Sequence, residues 1–415
     1  MKKSLFAVAA VTAFAGAAQA QSSVTVYGLL DVGYMGTNTR GTTGAGNVNT
    51  GSAGTVQAQQ QTSQFAASSE QTSRLGFKGN EDMGGGLSAF FTIETGLTPT
   101  SGTVSTWNDR QSFVGLKKNG IGQFAIGTQY TPVFNEVVAT DPGQLNNMVG
   151  NVIYATNNFG NNANGQGNVN QMGFGGTAAG TTVGAGSGND GFTSRASNTL
   201  SVQSERVAGF QASAVYVLNN VNQTQAGVGS SGTLGGNSNW NGWGLSADYT
   251  WNKLYVTGAY QAFKSINSAA NSVSAPQPQI ASAALGGTNT QDNQGYVAAT
   301  YDFGILKGYA NWITRKATDT VNSNYYAKRQ AQQLGVRSYI TPVIEAWASV
   351  GNGRYTAFGQ ANPTANFTAY QVGSNYYLSK RTNLYAIFGS TETSSTSSTP
   401  GVSGNGYALG VRHTF

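Results

Sequence analysis

The chain has 415 residues, including 57 Gly, 20 Tyr and 19 Phe, with a single His and no Cys. Only 9% of the residues are charged, against about 25% in an ordinary soluble domain. The lack of Cys excludes disulfides, thiol nucleophiles and thiolate metal sites. A formal charge of +6, scattered along the chain, is too mild to suggest nucleic-acid binding.

The first residues predict export from the cytoplasm. Lys2 and Lys3 precede an apolar segment at residues 5–18, and Ala18-Gln19-Ala20 has the small-x-small pattern of a signal-peptide cleavage site. The apolar segment is shorter than the roughly 20 residues that a membrane-spanning helix needs. We therefore expect residues 1–20 to be a cleaved signal peptide and residues 21–415 to form one domain.

Apolar and polar residues then alternate along the chain. The first such segment has two faces, one apolar and one mostly polar: Val24, Val26, Leu30, Val32 and Tyr34 against Thr25, Tyr27, Asp31 and Gly33. The pattern recurs at residues 73–78, 88–95, 196–204, 243–249, 296–301 and 384–388. A period of two predicts β-strands with one apolar side.

The connections between these segments alternate in length. The short ones are residues 79–86, 117–122, 205–209, 252–253, 302–304, 341–342 and 379–381. The long ones are residues 37–71, 97–106, 131–193, 219–241, 265–291, 317–329, 356–366 and 391–403. Long loops on one side only are typical of a transmembrane barrel. We expect an all-β fold, a 16-stranded antiparallel transmembrane β-barrel with long outer loops and short periplasmic turns.

The last segment is the most specific local feature. Residues 406–415 alternate so that Tyr407, Leu409, Val411, His413 and Phe415 share one face, and the segment ends on an aromatic residue. An unfrayed terminal strand suits a barrel, because the last strand must pair with the first to remove both sheet edges.

Several stretches resemble the trimeric Gram-negative general porins, most closely the betaproteobacterial type. They are residues 24–28 (Val-Thr-Val-Tyr-Gly), 73–82, 110–116, 129–132 and the terminal strand. The resemblance spans essentially the whole mature chain. It implies an outer-membrane homotrimer in contact with lipid, a third loop folded into the lumen, and passive diffusion of small hydrophilic solutes and ions, with no cofactor.

The same resemblance implies site residues. In such porins the terminal aromatic strand is the mark read by the barrel-assembly machinery, here Tyr407, Leu409, Val411 and Phe415. Arg74 and Arg110 resemble wall arginines of the pore constriction, and Lys78 shares a strand face with Arg74. The inserted loop contributes the acids Glu136 and Asp141. Opposed charges in a narrow lumen create a transverse field that penalises apolar solutes.

The expected selectivity is a weak anion preference. Without Lys2 and Lys3 the mature chain has 20 basic and 16 acidic side chains. Thr128 stands where many members of the family carry Arg, so one basic residue of the wall is absent. Glu136 and Asp141 could oppose the preference, because they are expected to lie across the same space.

The sequence lacks the residues that the common enzyme functions require. A triad, a His-based metal site or a His base would have to use His413, two residues from the end. Glycine patterns at residues 186–191 and 227–232 neither follow a strand nor open a helix, as dinucleotide binding needs. Glu81 and Asp82 lie in a Gly-rich turn. No catalytic, cofactor or metal site is expected.

Two alternatives stay open. One is a substrate-selective channel on the same fold, for sugars or a particular anion, which aromatic residues along the lumen would favour. The pairs at residues 325–326 and 376–377 each put only one ring inward, and they fit equally well as girdle aromatics. The other is a secreted adhesin or structural β-protein. Its Gly/Asn-rich loops are compatible, but the terminal strand and the one-sided loop lengths are not.

Overall fold

The computed structural model describes residues 23–42, 57–104, 110–155, 191–223, 236–267, 290–320, 323–324, 326–358, 364–394 and 401–415. Its strands are β1 (Ser23–Thr42), β2 (Gln57–Ala67), β3 (Arg74–Gly84), β4 (Leu87–Thr98), β5 (Thr103–Val104), β6 (Gln111–Lys118), β7 (Gly122–Tyr130), β8 (Arg195–Ser204), β9 (Phe210–Gln223), β10 (Gly236–Trp251), β11 (Leu254–Asn267), β12 (Thr290–Asp302), β13 (Lys307–Asp319), β14 (Tyr326–Thr341), β15 (Ile344–Phe358), β16 (Thr364–Tyr377), β17 (Thr382–Thr393) and β18 (Val402–Thr414). Helix α1 (Pro132–Thr140) lies between β7 and β8.

These strands form a closed barrel with sixteen strand positions. Strands β2 and β3 both pair with β1, so they occupy one position that is interrupted at residues 68–73. The two-residue strand β5 pairs only with β4 and adds no position. Antiparallel pairing of β1 with β18 closes the circle, with Leu29 opposite Thr414. The sequence-based expectation of a 16-stranded antiparallel barrel is confirmed.

The barrel has an apolar outside and a polar inside. On β16, Tyr370, Val372 and Tyr376 are exposed, whereas Gln371 and Asn375, on the other face, are buried. On β10 the outer face reads Trp243, Leu245, Ala247, Tyr249 and Trp251, an apolar centre between aromatic ends. This is the pattern of a lipid-facing band between two aromatic girdles. The structure also places Val24, Val26 and Leu30 on the outer face.

The strands are longer than the hydropathy pattern predicted. Residues 37–42 and 57–67, expected in a loop, continue β1 and form β2, with Thr42 opposite Gln57. The turn expected at residues 79–86 comprises only residues 85–86, because β3 continues to Gly84 and pairs Glu81 with Ala89. Backbone pairing can extend a hairpin through Gly, Thr and Asn residues that have no apolar alternation, so the pattern underestimates strand length at both ends of the barrel.

The connection after β7 enters the barrel, as the family resemblance implied for the third loop. Helix α1 packs against β9 to β13. The chain then continues along the inner wall to β16, where Gln371 donates to the backbone oxygens of Met148 and Val149, each at 2.9 Å. Asn147 reaches the bend between β2 and β3 and donates from its backbone to Ser69 O at 3.0 Å. Residues 131–155 form the inserted loop. Among the described residues, no helix is long and apolar enough to cross a membrane.

Candidate pore constriction

The inserted loop starts with a helix whose first turn has clear local causes. Thr131 is the N-cap, and its hydroxyl accepts from Phe134 N at 3.4 Å. Pro132 occupies the first helical turn, where its missing N–H costs nothing and its fixed φ suits the helix. Tyr130 stacks on Phe134 with 4.0 Å between ring centroids. Helix α1 therefore begins directly after β7, at the long-loop end of that strand.

Helix α1 lies across the lumen from β3. It packs against β11 and β12, and β12 is eight strand positions around the sixteen-stranded circle from β3. Buried Val133 and Val137 face the wall, and Val133 N donates to Gln261 Oε1 at 3.2 Å. Asn135, Val138 and Ala139 stay exposed. The helix thus presents an uncharged face to the lumen.

Glu136 lies on the wall side of the helix. Its Oε2 accepts from Tyr255 Oη at 2.9 Å and from Thr257 Oγ1 at 2.7 Å, and the residue is 8% exposed. The structure gives this carboxylate two neutral hydroxyl partners on β11. Glu136 therefore anchors the helix to the barrel wall, and its carboxylate does not pair with Arg74 or Arg110.

Asp141 ends the helix and organises the rest of the inserted loop. Its carboxylate accepts from Leu145 N at 2.8 Å and from Asn151 Nδ2 at 2.6 Å. Burial raises the pKa of this carboxyl above its ordinary value, although both hydrogen bonds and the nearby Arg337 act in the opposite direction. Like Glu136, Asp141 lies on the inserted loop as expected, but the partners of its carboxylate lie on the loop itself and on β14, not at Arg74 or Arg110.

The carboxylate that does meet the predicted arginines is Glu94, on β4. Arg110 Nε donates to its Oε1 at 2.5 Å, and Arg74 Nε lies 3.5 Å from its Oε2. Arg110 also donates to Tyr130 Oη at 2.7 Å, and Tyr27 Oη donates to Glu94 Oε2 at 3.1 Å. Two guanidinium groups share one carboxylate, so this arginine cluster of Arg74, Glu94 and Arg110 has a net positive charge.

Lys78 and Arg195 add positive charge near the cluster. Lys78 is exposed on β3, and its ammonium lies 5.4 Å from the centre of the Tyr27 ring. Arg195 begins β8, and its guanidinium lies 5.8 Å from the centre of the Tyr130 ring. Arg74, Lys78 and Arg110 are thus brought together on one side of the lumen.

Thr128 lies in β7 opposite Ser112, and the alternation of β7 puts it on the outer face with exposed Phe124 and Ile126. The expectation that Thr128 replaces a lumenal arginine is therefore wrong for this chain.

Four buried glutamines of the inner wall hold the chain segments that enter the lumen. Gln261, Gln294, Gln333 and Gln371 are each at most 2% exposed. Gln333 Oε1 accepts from Val152 N at 3.2 Å, and Gln294 Oε1 accepts from Thr193 N at 2.7 Å. Arg329 Nη2 donates to Val152 O at 2.6 Å. These contacts satisfy backbone groups that burial would otherwise leave unpaired.

The lumen brings together an inserted chain segment and a cluster of charged side chains. In the part of the chain that the structure describes, no group of three or more His, Asp or Glu side chains could hold a metal ion. The barrel is closed and has a polar interior, and one chain segment folds into its lumen beside a charged cluster. This is the architecture of an outer-membrane diffusion channel.

The chain belongs to the Gram-negative porin family, whose model matches residues 7–396. The protein is therefore an outer-membrane porin, and its function is passive diffusion through the barrel. This assignment excludes a secreted adhesin as the main function. The resemblance that the sequence motifs indicated is confirmed.

Individual relatives support the betaproteobacterial type. Outer membrane porin protein 32 of Delftia acidovorans is 26% identical over 433 residues and all of both chains. An outer membrane porin protein of Bordetella pertussis is 35% identical over 138 residues, 31% of this chain and 34% of the relative. The solved structure of the anion-selective porin from Comamonas acidovorans has a TM-score of 0.64 and 21% identity, covering 95% of this chain and all of that one.

Sequence reasoning missed Glu94 and the wall glutamines as parts of the site. Glu94 was visible only as a polar residue in an alternating strand. Its two basic partners lie 20 and 16 positions away in the chain, and no local signal joins them. Thr131-Pro132 did carry a local signal, since a Thr N-cap followed by Pro predicts the start of a helix.

Proposed function

We propose that this porin is a general diffusion channel with a weak preference for small anions. The observation that carries the proposal is the arginine cluster, where Arg74 and Arg110 share the one carboxylate of Glu94. The helix across the lumen presents Asn135, Val138 and Ala139, which carry no charge. The local potential is therefore positive.

We propose that the five residues predicted for the constriction have two different roles. Arg74, Arg110 and Lys78 act on permeating ions, whereas Glu136 and Asp141 act by holding the inserted loop. Charges that line a narrow lumen with low-dielectric walls attract counter-ions and repel like ions. Lys78 is exposed and acts through this potential alone. Because Glu94 offsets part of the positive charge, the preference is weak rather than strict.

The test is the reversal potential in a planar lipid bilayer under a KCl gradient, together with single-channel conductance. We expect stepwise currents and a reversal potential on the chloride side. Arg74→Ala and Arg110→Ala should each lower the anion-to-cation permeability ratio. Thr128→Arg should leave it unchanged, because Thr128 lies on the outer face of β7 with Ile126. The differences should shrink in strong salt, because the Debye length falls from about 10 Å at 0.1 M to about 3 Å at 1 M.

A matched control is Lys380→Ala, which removes one positive charge from an exposed residue between β16 and β17. It should leave the permeability ratio unchanged. A cation-selective wild type whose ratio is unmoved by both arginine variants would refute the assignment. Block of the current by one solute class at low concentration would instead support a substrate-selective channel.

We further propose the remaining features that the family resemblance implied. The chain is exported by a cleaved signal peptide at residues 1–20, acts as a homotrimer and is not an enzyme. The outer face of β18, with Tyr407, Leu409, Val411 and Phe415, is read by the barrel-assembly machinery. Heat-modifiable migration as a trimer and N-terminal sequencing of the protein from outer membranes test the first two points.

A further inference from the structure

Asp31, on the lumen side of β1, is completely buried and forms no ion pair within the described part of the chain. A buried carboxylate is costly unless hydrogen bonds satisfy it. Tyr385 Oη donates to Asp31 Oδ1 at 2.7 Å, and the backbone N–H groups of Glu70 and Gln71 both donate to Oδ2 at 2.7 Å. The carboxylate of Asp31 therefore holds the backbone of a second chain segment.

That segment is the bend at residues 68–73, which separates β2 from β3. Ser68 N donates to Asp31 O at 2.9 Å. Ser73 Oγ accepts from Asp31 N at 2.9 Å and donates to Asp31 O at 3.2 Å. Ser68 has a φ of 67°, a conformation that a residue with a Cβ keeps only where its surroundings hold it. Both ends of the bend and its middle are thus attached to one residue.

The bend in turn holds the inserted loop through Asn147. Asn147 N donates to Ser69 O at 3.0 Å. Its Nδ2 donates to Ser68 O at 2.8 Å and to Thr72 Oγ1 at 3.1 Å. The next residue, Met148, lies in a buried apolar cluster that includes residues of β1 and β2. The middle of the inserted loop is therefore fixed to this side of the barrel by the bend.

The bend also leads directly into the arginine cluster. Arg74 is the first residue of β3, and its Nη1 donates to Thr72 O at 3.3 Å. Leu97 N donates to Ser73 O at 2.9 Å, which ties the end of the bend to β4, the strand of Glu94. A shift of the bend would therefore move Arg74 and the inserted loop together.

We propose that Asp31 is a positioning residue of the pore. Its carboxylate holds the bend at residues 68–73, and the bend places both the inserted loop and Arg74. The effect on selectivity through Arg74 rests on the proposed function, whereas the effect on the inserted loop rests on these contacts alone.

A positioning role differs from a role of Asp31 as a negative charge of the lumen. Asn in its place would keep an oxygen for the two backbone N–H groups and an Nδ2 that can donate to Tyr385 Oη. Asp31→Asn should therefore preserve the position of the loop, although the charge is lost. If the charge itself acted on ions, Asp31→Asn and Asp31→Ala would both raise the anion preference.

The test measures the position of the loop and the selectivity separately. Because the chain has no Cys, spin labels can be attached at Gln144→Cys in the inserted loop and Lys380→Cys between β16 and β17, both exposed positions. Pulsed EPR on the folded full-length protein gives the distribution of distances between them. We expect Asp31→Ala to broaden this distribution and, in the unlabelled channel, to lower the anion-to-cation permeability ratio about twofold. Asp31→Asn should restore both to the wild-type values.

The control is Asp248→Ala, which also removes a buried carboxylate, one that pairs with Arg206 between β8 and β9. It should keep the wild-type distance distribution, although the loss of a buried partner reduces stability. An unbroadened distribution in folded Asp31→Ala would overturn the proposal. The same holds for equal broadening in the control and for failure of Asp31→Asn to restore the loop.

A second variant keeps the test decisive if Asp31→Ala does not fold. Asn147→Ala removes two side-chain donors between the bend and the loop and leaves Asp31 unchanged. It should broaden the distance distribution, and Asp31→Asn should not. A wild-type distribution in Asn147→Ala would refute the transfer of position through the bend. A wild type without anion preference would refute the proposed function, and the distance measurement would still decide the role of Asp31.

Discussion

Asn146 and Gln371 exchange two hydrogen bonds, each amide donating to the other's oxygen at 2.8 Å, although 225 positions separate them in the chain. Both residues are completely buried. A reciprocal amide pair constrains orientation as well as distance, so it anchors the middle of the inserted loop to β16.

Gln371→Leu should loosen the inserted loop. The substitution removes the reciprocal pair and the donors to Met148 O and Val149 O, leaving buried polar groups unpaired at a cost of about 1–3 kcal/mol each. We expect noisier single-channel currents with a wider spread of conductance. The control is Gln332→Leu on the outer face. A quiet channel with the wild-type conductance would contradict the role of Gln371.

Glu94→Gln should increase the anion preference. The change removes the negative charge that Arg74 and Arg110 share, so both guanidinium groups act on the lumen without compensation. Loss of a buried partner should also reduce folding stability. The reversal potential under a KCl gradient measures the selectivity, with Glu392→Gln, an exposed acid on β17, as control. An unchanged permeability ratio in a folded Glu94→Gln channel would show that the cluster does not face permeating ions.

Phe415→Ala should impair assembly more than the loss of either loop acid. The backbone of Phe415 pairs with Gly28 at the barrel seam, its N–H donating to Gly28 O at 3.1 Å and its oxygen accepting from Gly28 N at 3.0 Å. Phe415→Ala keeps both bonds, so the variant tests the aromatic side chain alone. That side chain is exposed on the outer face. The measurement is the amount of folded trimer in outer membranes, compared with Glu136→Gln and Asp141→Asn. Equal amounts in all three variants would rule out a special role for the terminal residue.

Gly28→Ala should weaken the same seam from the other side. A Cβ at Gly28 would lie 2.3 Å from Phe415 Cζ and 2.9 Å from Arg74 O, so the ring and the backbone must shift. Gly258→Ala is a matched control on β11, since the nearest heavy atom there is 3.9 Å away. We expect a lower yield of heat-modifiable barrel for Gly28→Ala only. The steric argument fails if both variants fold alike.

Leu245→Lys should destabilise the barrel in lipid. Leu245 is 53% exposed between Trp243 and Tyr249, within the apolar band. A Lys on the lipid face costs about 2–4 kcal/mol at the bilayer midplane. Thr25→Lys, on the lumen face of β1, is the comparison and should be tolerated, although Lys78 lies opposite it in the register. A urea titration in lipid vesicles measures both, and similar free energies of unfolding would mean that the facing assignment is wrong.

The sequence alone determined the barrel and the direction of its strand residues. Alternation with a period of two assigns each strand residue to one face, so the pattern by itself places Leu30 and Leu409 outside and Arg74 and Lys78 inside. One-sided loop lengths and the terminal strand then required closure. None of these inferences depends on knowing which strands are neighbours.

Only the tertiary structure decided which charges meet. Glu136 and Asp141 were correctly placed on the inserted loop, but a loop has no period that fixes the direction of its side chains. Which wall residue each carboxylate contacts depends on where the loop lies, and its partners, such as Tyr255 and Thr257, are more than 100 positions away. Glu94 belongs to the arginine cluster because strand pairing and the return of the chain at Arg110 bring three distant residues to one place. Burial then favours the arrangement in which every buried charge has a partner.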